Sequence, residues 1–300
     1  MLPHQLRYGV CQLSMTYTLQ IAGLGFQLES PVPLELHPHY LPYLDENKDP
    51  DVIIRVLTTA PVYPSQTPAY DDGRLAVYPT PLGWFREHRI WSWAERDPAN
   101  PCLTPEADGS WSFRVPEERL PLLAARCQFF WLLAPEARLA ERRRLILHAS
   151  SVMLDGRAWL FFGPSGVGKT THAHQWAETL GAALLTGDRT VIEWTGDGAF
   201  VAHGSPFCGS SGICVRDRAP VGGLCLLSQA PENRIERLSP VRAFRELYAQ
   251  TTLNTWDAAQ SRGLCDLLSA LIERYPIYRL SCRLGPEGAR LCAETLTAHP

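Results

Sequence analysis

The sequence has no basic surplus. Its 300 residues carry 28 lysines and arginines against 31 aspartates and glutamates, a formal charge of −3, and the pI is near 6.3. Proteins dedicated to nucleic acid or to anionic membrane surfaces show the opposite balance, so neither partner is expected. No apolar run approaches the roughly 20 residues that a membrane-spanning helix needs. The N-terminal MLPHQLRYGV lacks the apolar stretch of a secretory signal, and the expected compartment is the cytoplasm. Nine cysteines are present but no C-x-x-C pair, which argues against structural zinc, because zinc sites take their ligands in close pairs. The thiols are expected as small core side chains in a reducing compartment. Cys208 stands apart because it sits in a glycine-rich segment. There is no internal repeat and no low-complexity tract.

What the chain does have is apolar material, 45% of residues with 20% charged, enough for two domains or one large one. After residues 1–14, which show no periodicity, short runs rich in β-branched and aromatic residues succeed one another: TYTLQIAG, GFQLES, VIIRVL from Val52, RLAVY from Arg74, WFREHRIWSW from Trp84 and a last run at Trp111–Val115. Proline, glycine and aspartate divide them, so they read as strands and turns. Residues 1–115 are therefore expected to form a β-rich domain, with Trp84, Phe85, Trp91 and Trp93 mainly as core. The proline-punctuated stretch 31–50 reads as a connecting loop with room for one helical turn.

From Pro116 the period becomes helical. Glu117–Leu133 and Glu136–Leu145 read as helices that open a second domain, residues 116–300. The Arg142-Arg143-Arg144 triplet there complements a helix C-terminus. Next comes LILHASSVML, an apolar strand with one histidine, His148. Asp155-Gly156 is a two-residue hairpin turn, and it leads into the apolar run Arg157–Phe162. The hairpin lays the His148 strand antiparallel to this run, which brings His148 toward the residues just beyond Phe162.

Those residues are Gly163-Pro164-Ser165-Gly166-Val167-Gly168-Lys169-Thr170-Thr171, a match to G-x-x-x-x-G-K-[ST]. Glycines suit such a loop because its backbone must turn through left-handed conformations and bring several N–H groups close to one anion. Lys169 is placed to reach β/γ-phosphates, Thr170 to offer a hydroxyl to Mg²⁺, and the helix behind them to aim its positive end at the same charge. A helix over Thr171–Leu180 capped by Gly181, a strand Ala182–Leu185 and then Gly187-Asp188-Arg189 complete the order that a nucleotide site requires. Further strands at 222–228, 234–238 and 278–284 and helices at 240–250, 263–274 and 286–297 close an α/β domain.

His148 fifteen residues before Gly163, then GPSGVGKT, then LLTGDR, resemble in that order the catalytic domain of the HPr kinase/phosphorylase family, and more closely its shorter, diverse relatives. AHGSPFCG at Ala202–Gly209 also looks like a segment of those relatives. The resemblance covers roughly residues 145–230. It implies a P-loop fold akin to that of phosphoenolpyruvate carboxykinases, with ATP and Mg²⁺ as nucleotide and ion and γ-phosphoryl transfer to a serine hydroxyl. It places His148 beside the reacting groups and makes Asp188 an acid/base or metal residue with Thr170. Two departures stand out. The family typically carries two adjacent aspartates, where Gly187-Asp188 offers one, and its Arg-Gly signature is not recognisable at Gly204–Arg218, so phosphorolysis and HPr itself are not expected. The expected acceptor is a serine of a protein or ribosomally made peptide. A small-molecule hydroxyl kinase and a catalytically weak nucleotide-binding scaffold are the alternatives.

Overall fold

Alternating burial shows how the first strands form: VIIRVL buries every second residue, the period-two pattern of a strand with one face inward. The computed structural model describes residues 15–46, 49–89, 96–97, 100–120, 133–283 and 285–298. It is a mixed α/β chain with two large sheets. The first sheet holds β1 (Met15–Ile21), β2 (Leu24–Ser30), β3 (Val52–Leu57), β4 (Tyr70–Asp71), β5 (Leu75–Thr80), β6 (Gly83–His88), β7 (Cys102–Pro105) and β8 (Trp111–Arg114), in the order β1-β2-β3-β8-β7-β6-β5-β4. Of the aromatic residues assigned to the core, Phe85 is buried, Trp84 is half-buried, and Trp91 and Trp93 lie outside the described residues. Glu87 is also buried in this sheet. It is held by Asn100 Nδ2 at 2.8 Å, the Tyr63 hydroxyl at 3.1 Å, and the Tyr78 hydroxyl and Arg89 Nη2, each at 3.3 Å. A carboxylate with four donors satisfies the demand that burial makes of a charge.

Backbone contacts group the described chain into two compact units, and the division is not a single cut. The second unit takes residues 19–24 and 37–45 together with the described residues from Leu133 onward. The loop expected over 31–50 holds a 3-10 turn, Pro38–Tyr43. The second unit continues with α1 (Pro135–Glu141), β9 (Arg144–Leu154), β10 (Arg157–Phe162), α2 (Lys169–Leu180), β11 (Ala183–Thr186), β12 (Arg189–Trp194), β13 (Phe200–His203), β14 (Arg218–Gln229), β15 (Arg234–Arg237), α3 (Pro240–Gln250), α4 (Ala258–Arg274), β16 (Ile277–Cys282) and α5 (Pro286–Thr297).

Two long strands organise this unit. The first part of β9 pairs with β12, Arg144 to His148; the remainder pairs with β10, Ala149 to Leu154, on one edge and with β11, Ser151 to Met153, on the other. The first residues of β14 likewise pair with β13, and the rest lie parallel to β10 and β16. One face of the sheet packs Trp176 of α2 and Cys292 and Leu296 of α5 against Trp159, Phe161 and Leu227. The other packs Ala243 and Leu247 of α3 and Leu264, Leu268 and Leu271 of α4 against Leu160, Phe162 and Leu224. The fully buried run Ala158–Phe162 is what a strand covered on both faces requires.

The helix expected over Glu136–Leu145 is shorter. It ends at Glu141, Arg143 turns through φ +58°, and strand pairing begins at Arg144. Pairing with β12 claims the arginines: Arg144 meets Glu193 at 2.5 Å and the Arg143 guanidinium lies 3.4 Å over the Trp194 ring. At 117–133 the first residues form a 3-10 turn, Glu117–Arg119, and 121–132 lie outside the described residues. Four strands escaped the sequence reading: the two-residue β4, and β7, β12 and β13.

Each unit holds a buried histidine whose protonation folding opposes. Burial pushes His172 down to about 4, and burial together with the Arg86 charge pushes His88 down to about 3. Both rings take up a proton more readily in the unfolded chain, so stability is complete above the unfolded value of 6.5 and declines as pH falls toward about 4. A thermal midpoint that falls across this window is expected. His172→Gln keeps an acceptor for Trp176 Nε1 and should give a shallower decline in the same calorimetric series.

Candidate functional site

The strand β10 delivers its last apolar residue, Phe162, into a loop that only glycine can turn. Gly163, Gly166 and Gly168 have φ of +144°, +77° and +106°, a region closed to most residues with a side chain. A Cβ on Gly163 would stand 3.0 Å from the Leu227 carbonyl oxygen and 3.3 Å from Val167 Cγ1. Pro164, Ser165 and Gly166 form the exposed rim of the loop and Thr171 is exposed behind it. Lys169 opens α2 and is only 6% exposed. Its Nζ donates to the carbonyls of Gly163 at 3.0 Å and Pro164 at 3.2 Å, so the ammonium sits inside the curl of the loop. Burial, with Arg189 adding to it, holds this amine below the usual lysine range, and Asp188 opposes them. The helix has no side-chain cap at Gly168, and the N–H groups of a first helical turn have no intrahelical acceptor. They are left for a ligand.

His148 and Asp188 reach the same place by register. His148 is the last β9 residue paired with β12, opposite Arg189, and Ala149 is the first paired with β10, opposite Phe162. The residue before β12, Asp188, and the residue after β10, Gly163, therefore both flank His148. The imidazole Nε2 stands 2.9 Å from Asp188 Oδ1, and Arg189 Nε lies 3.8 Å from Oδ2. Burial raises the Asp188 carboxyl, but the His148 hydrogen bond and the charges of His148, Arg189 and Lys169 outweigh it and hold the group below the usual carboxylate range.

Beneath the pair lies a hydroxyl floor. Thr170 Oγ1 and Ser150 Oγ both donate to the Gly187 carbonyl, at 3.0 and 2.6 Å, and lie 3.4 Å from one another. The carbonyl just before Asp188 is thus tied to the first turn of α2. Ser150 was missed in sequence because a serine inside an apolar strand reads as filler; only its register opposite Phe161 marks it. Above the pair runs the segment after β13. Gly209 packs so closely that a Cβ there would meet Asp188 Oδ2 at 3.0 Å, and a Cβ on Gly187 would meet Ser211 Oγ at 1.9 Å. That crowding leaves no space for a second aspartate at position 187.

The donor set accommodates a divalent cation without caging it. No cluster of three or more His, Cys, Asp or Glu side chains suited to a metal occurs among the described residues. One hydroxyl, Thr170, and one carboxylate, Asp188, fit an ion that keeps several waters and shares phosphate oxygens, as Mg²⁺ does. Beside the loop a cleft of about 470 Å³ is lined by Ser165, Gly166, Leu226, Gln229, Glu246 and Arg279 among others. Arg216 is elsewhere engaged, with Asp45 at 2.6 Å and with Gln20.

No family model and no curated protein matches the chain. Among solved structures, one titled as the Hpr(Ser) kinase/phosphatase from Coxiella burnetii is similar over 51% of this chain and 93% of that one, at 12% identity and a TM-score of 0.29. A likeness of that degree assigns no residue a role. No described helix is long and apolar enough to cross a membrane.

The loop glycines separate space from conformation. Gly163→Ala meets both a close carbonyl and a forbidden φ, whereas Gly166→Ala meets only the φ, with nothing within 4 Å of its Cβ. By calorimetry, Gly166→Ala should cost about 1 kcal/mol of stability and Gly163→Ala about 2–3 kcal/mol. Equal costs would contradict the packing described.

Proposed function

We propose that the chain is an ATP-dependent kinase that transfers the γ-phosphoryl group to a hydroxyl, with a serine of a protein or peptide as acceptor. One observation carries this reading: a buried lysine curled inside a glycine loop lies in electrostatic reach of a carboxylate that is hydrogen-bonded to a histidine. Phosphoryl transfer asks little covalent chemistry of a protein. It asks for a fixed phosphate, offset charge and an in-line hydroxyl.

The residues divide that work. The amides of Gly163–Thr170 and the Lys169 ammonium hold the phosphates, and Lys169 exchanges its loop carbonyls for phosphate oxygens. Thr170 and Asp188 hold Mg²⁺, which when bound neutralises phosphate charge. The cleft beside Ser165 and Leu226 receives the nucleoside. Asp188, kept ionised by His148, Arg189 and Lys169, accepts the acceptor's proton as the hydroxyl attacks. His148 orients that carboxylate. With a single carboxylate serving both ion and proton, His148 is the group that shares the load, through its hydrogen bond to Oδ1.

A nucleotide-binding scaffold without transfer is the second reading, favoured by the closure of position 187 to a second aspartate. Replacement of two residues separates them. Lys169→Ala should abolish nucleotide binding in calorimetry in either case. Asp188→Asn should leave binding within a few fold but lower transfer, read as phosphate incorporation by mass spectrometry, by about 10²–10⁴. Turnover that survives Asp188→Asn would remove the carboxylate from the chemistry. A wild-type protein that binds Mg-ATP and labels no peptide, protein or polyol would leave the scaffold.

A further inference from the structure

At the end of β13 the second unit holds a polar cavity of about 360 Å³, lined by Gln20, Tyr43, His203, Arg216, Asp217 and Arg218 among others. Every lining residue belongs to that unit, and none to the glycine loop or the His148–Asp188 pair. Part of the wall is a histidine held by a carboxylate. His203 is only 5% exposed. Its Nε2 lies 2.8 Å from Glu193 Oε2, and the other Glu193 oxygen is taken by Arg144 at 2.5 Å. A carboxylate only accepts, so Nε2 carries the proton. Burial, with the charges of Arg144 and Arg218, outweighs Glu193 and holds the ring below the usual histidine range. The ring is neutral at pH 7, which makes Nδ1 an acceptor. Among the described residues Nδ1 has no donor, although buried polar groups are normally bonded.

Two opposite charges face the same cavity without ion-pair partners. Arg216 is not one of them, because Asp45 at 2.6 Å, the Leu44 carbonyl at 3.3 Å and Gln20 engage it. Arg218 stands directly opposite His203 in the β13–β14 ladder, so the two side chains leave the sheet on one face with Cβ atoms about 5 Å apart. Among the described residues neither the Arg218 guanidinium nor the Asp217 carboxylate forms an ion pair; Asp217 Oδ1 accepts only the Arg218 backbone N–H, at 2.7 Å.

We propose that this cavity is a binding site for a zwitterionic amino acid, its carboxylate on Arg218 and its ammonium on Asp217 and His203 Nδ1. A guanidinium takes a carboxylate through two parallel hydrogen bonds, and an ammonium has three donors to divide between two acceptors. A plain anion would satisfy Arg218 and be repelled by Asp217; a plain cation would meet the reverse. A ligand that carries both charges on neighbouring atoms answers all three groups. The volume lies at the low end of small-molecule sites, which suits a single metabolite. The site does not depend on the kinase reading.

Calorimetric titration of the full-length protein with the common amino acids, one at a time, should find at least one that binds once per chain with a Kd below about 1 mM. Its primary amide, which lacks the carboxylate, and its deamino analogue, which lacks the ammonium, should each bind about tenfold more weakly or worse. Arg218→Gln should erase the preference for the amino acid over its amide, and Asp217→Asn the preference over the deamino acid. Both variants replace exposed side chains and should keep the wild-type thermal midpoint, so that a change of selectivity reports the cavity and not the fold. No amino acid bound at about 10 mM, or binding whose selectivity both variants leave intact, would overturn the site. Inorganic phosphate or the deamino acid binding as tightly as the best amino acid would overturn the zwitterion and leave a site for anions alone.

Discussion

The meeting of two neighbours on β9 is the constraint on which the site depends. One edge of the strand is bonded to β12 up to His148 and then to β11 at Ser151–Met153, and the other edge is bonded to β10 from Ala149. The start of β12 and the end of β10 thus face adjacent residues of β9, His148 and Ala149, from its two edges. The glycine loop and Asp188 are therefore delivered to one imidazole by backbone hydrogen bonds, the least mobile part of the unit. Sites carried on sheet register hold their geometry better than sites assembled from loops. A one-residue slip would turn His148 to the other face of the sheet.

Charge completes what register begins. Lys169 has a depressed affinity for its proton because it is buried, and Asp188 has a depressed affinity because cationic and hydrogen-bonding groups surround it. The two shifts have different causes but a common consequence: a partly desolvated pair in which the carboxylate stays ionised. The hydroxyls of Ser150 and Thr170, both given to the Gly187 carbonyl, fix the height of that carboxylate relative to α2. The same closeness of chain that leaves no room for a side chain at 187 brings Gly209 against the Asp188 carboxylate.

Much of this was legible in the residues. Helices α3 and α5 carry proline at their first position, and their spans agree with the sequence reading to the residue. Asp155-Gly156 takes the left-handed turn, φ +52° and +72°, that its residue types promise. Gly181 caps α2 at φ +73°. Long-range pairing was not legible. β12 and β13 carry polar residues such as Thr190 and His203 whose partners, Ala149 O and Glu193, lie far away in sequence or across a turn, so no local period betrays them. Arg144 reads as a helix end until Glu193 is seen opposite it. Ser150 belongs to the same class, because it is defined by a neighbour, the Gly187 carbonyl, that only the fold supplies.

The most direct test is a crystal structure of the protein with Mg²⁺ and a non-hydrolysable ATP analogue. The phosphates are expected on the amides of Gly163–Thr170 and the Lys169 ammonium, with the terminal phosphate facing Asp188 and His148. Phosphate density elsewhere, for instance in the polar cavity lined by His203, Arg216 and Arg218, with the glycine loop unengaged, would contradict the kinase reading and the nucleotide site together.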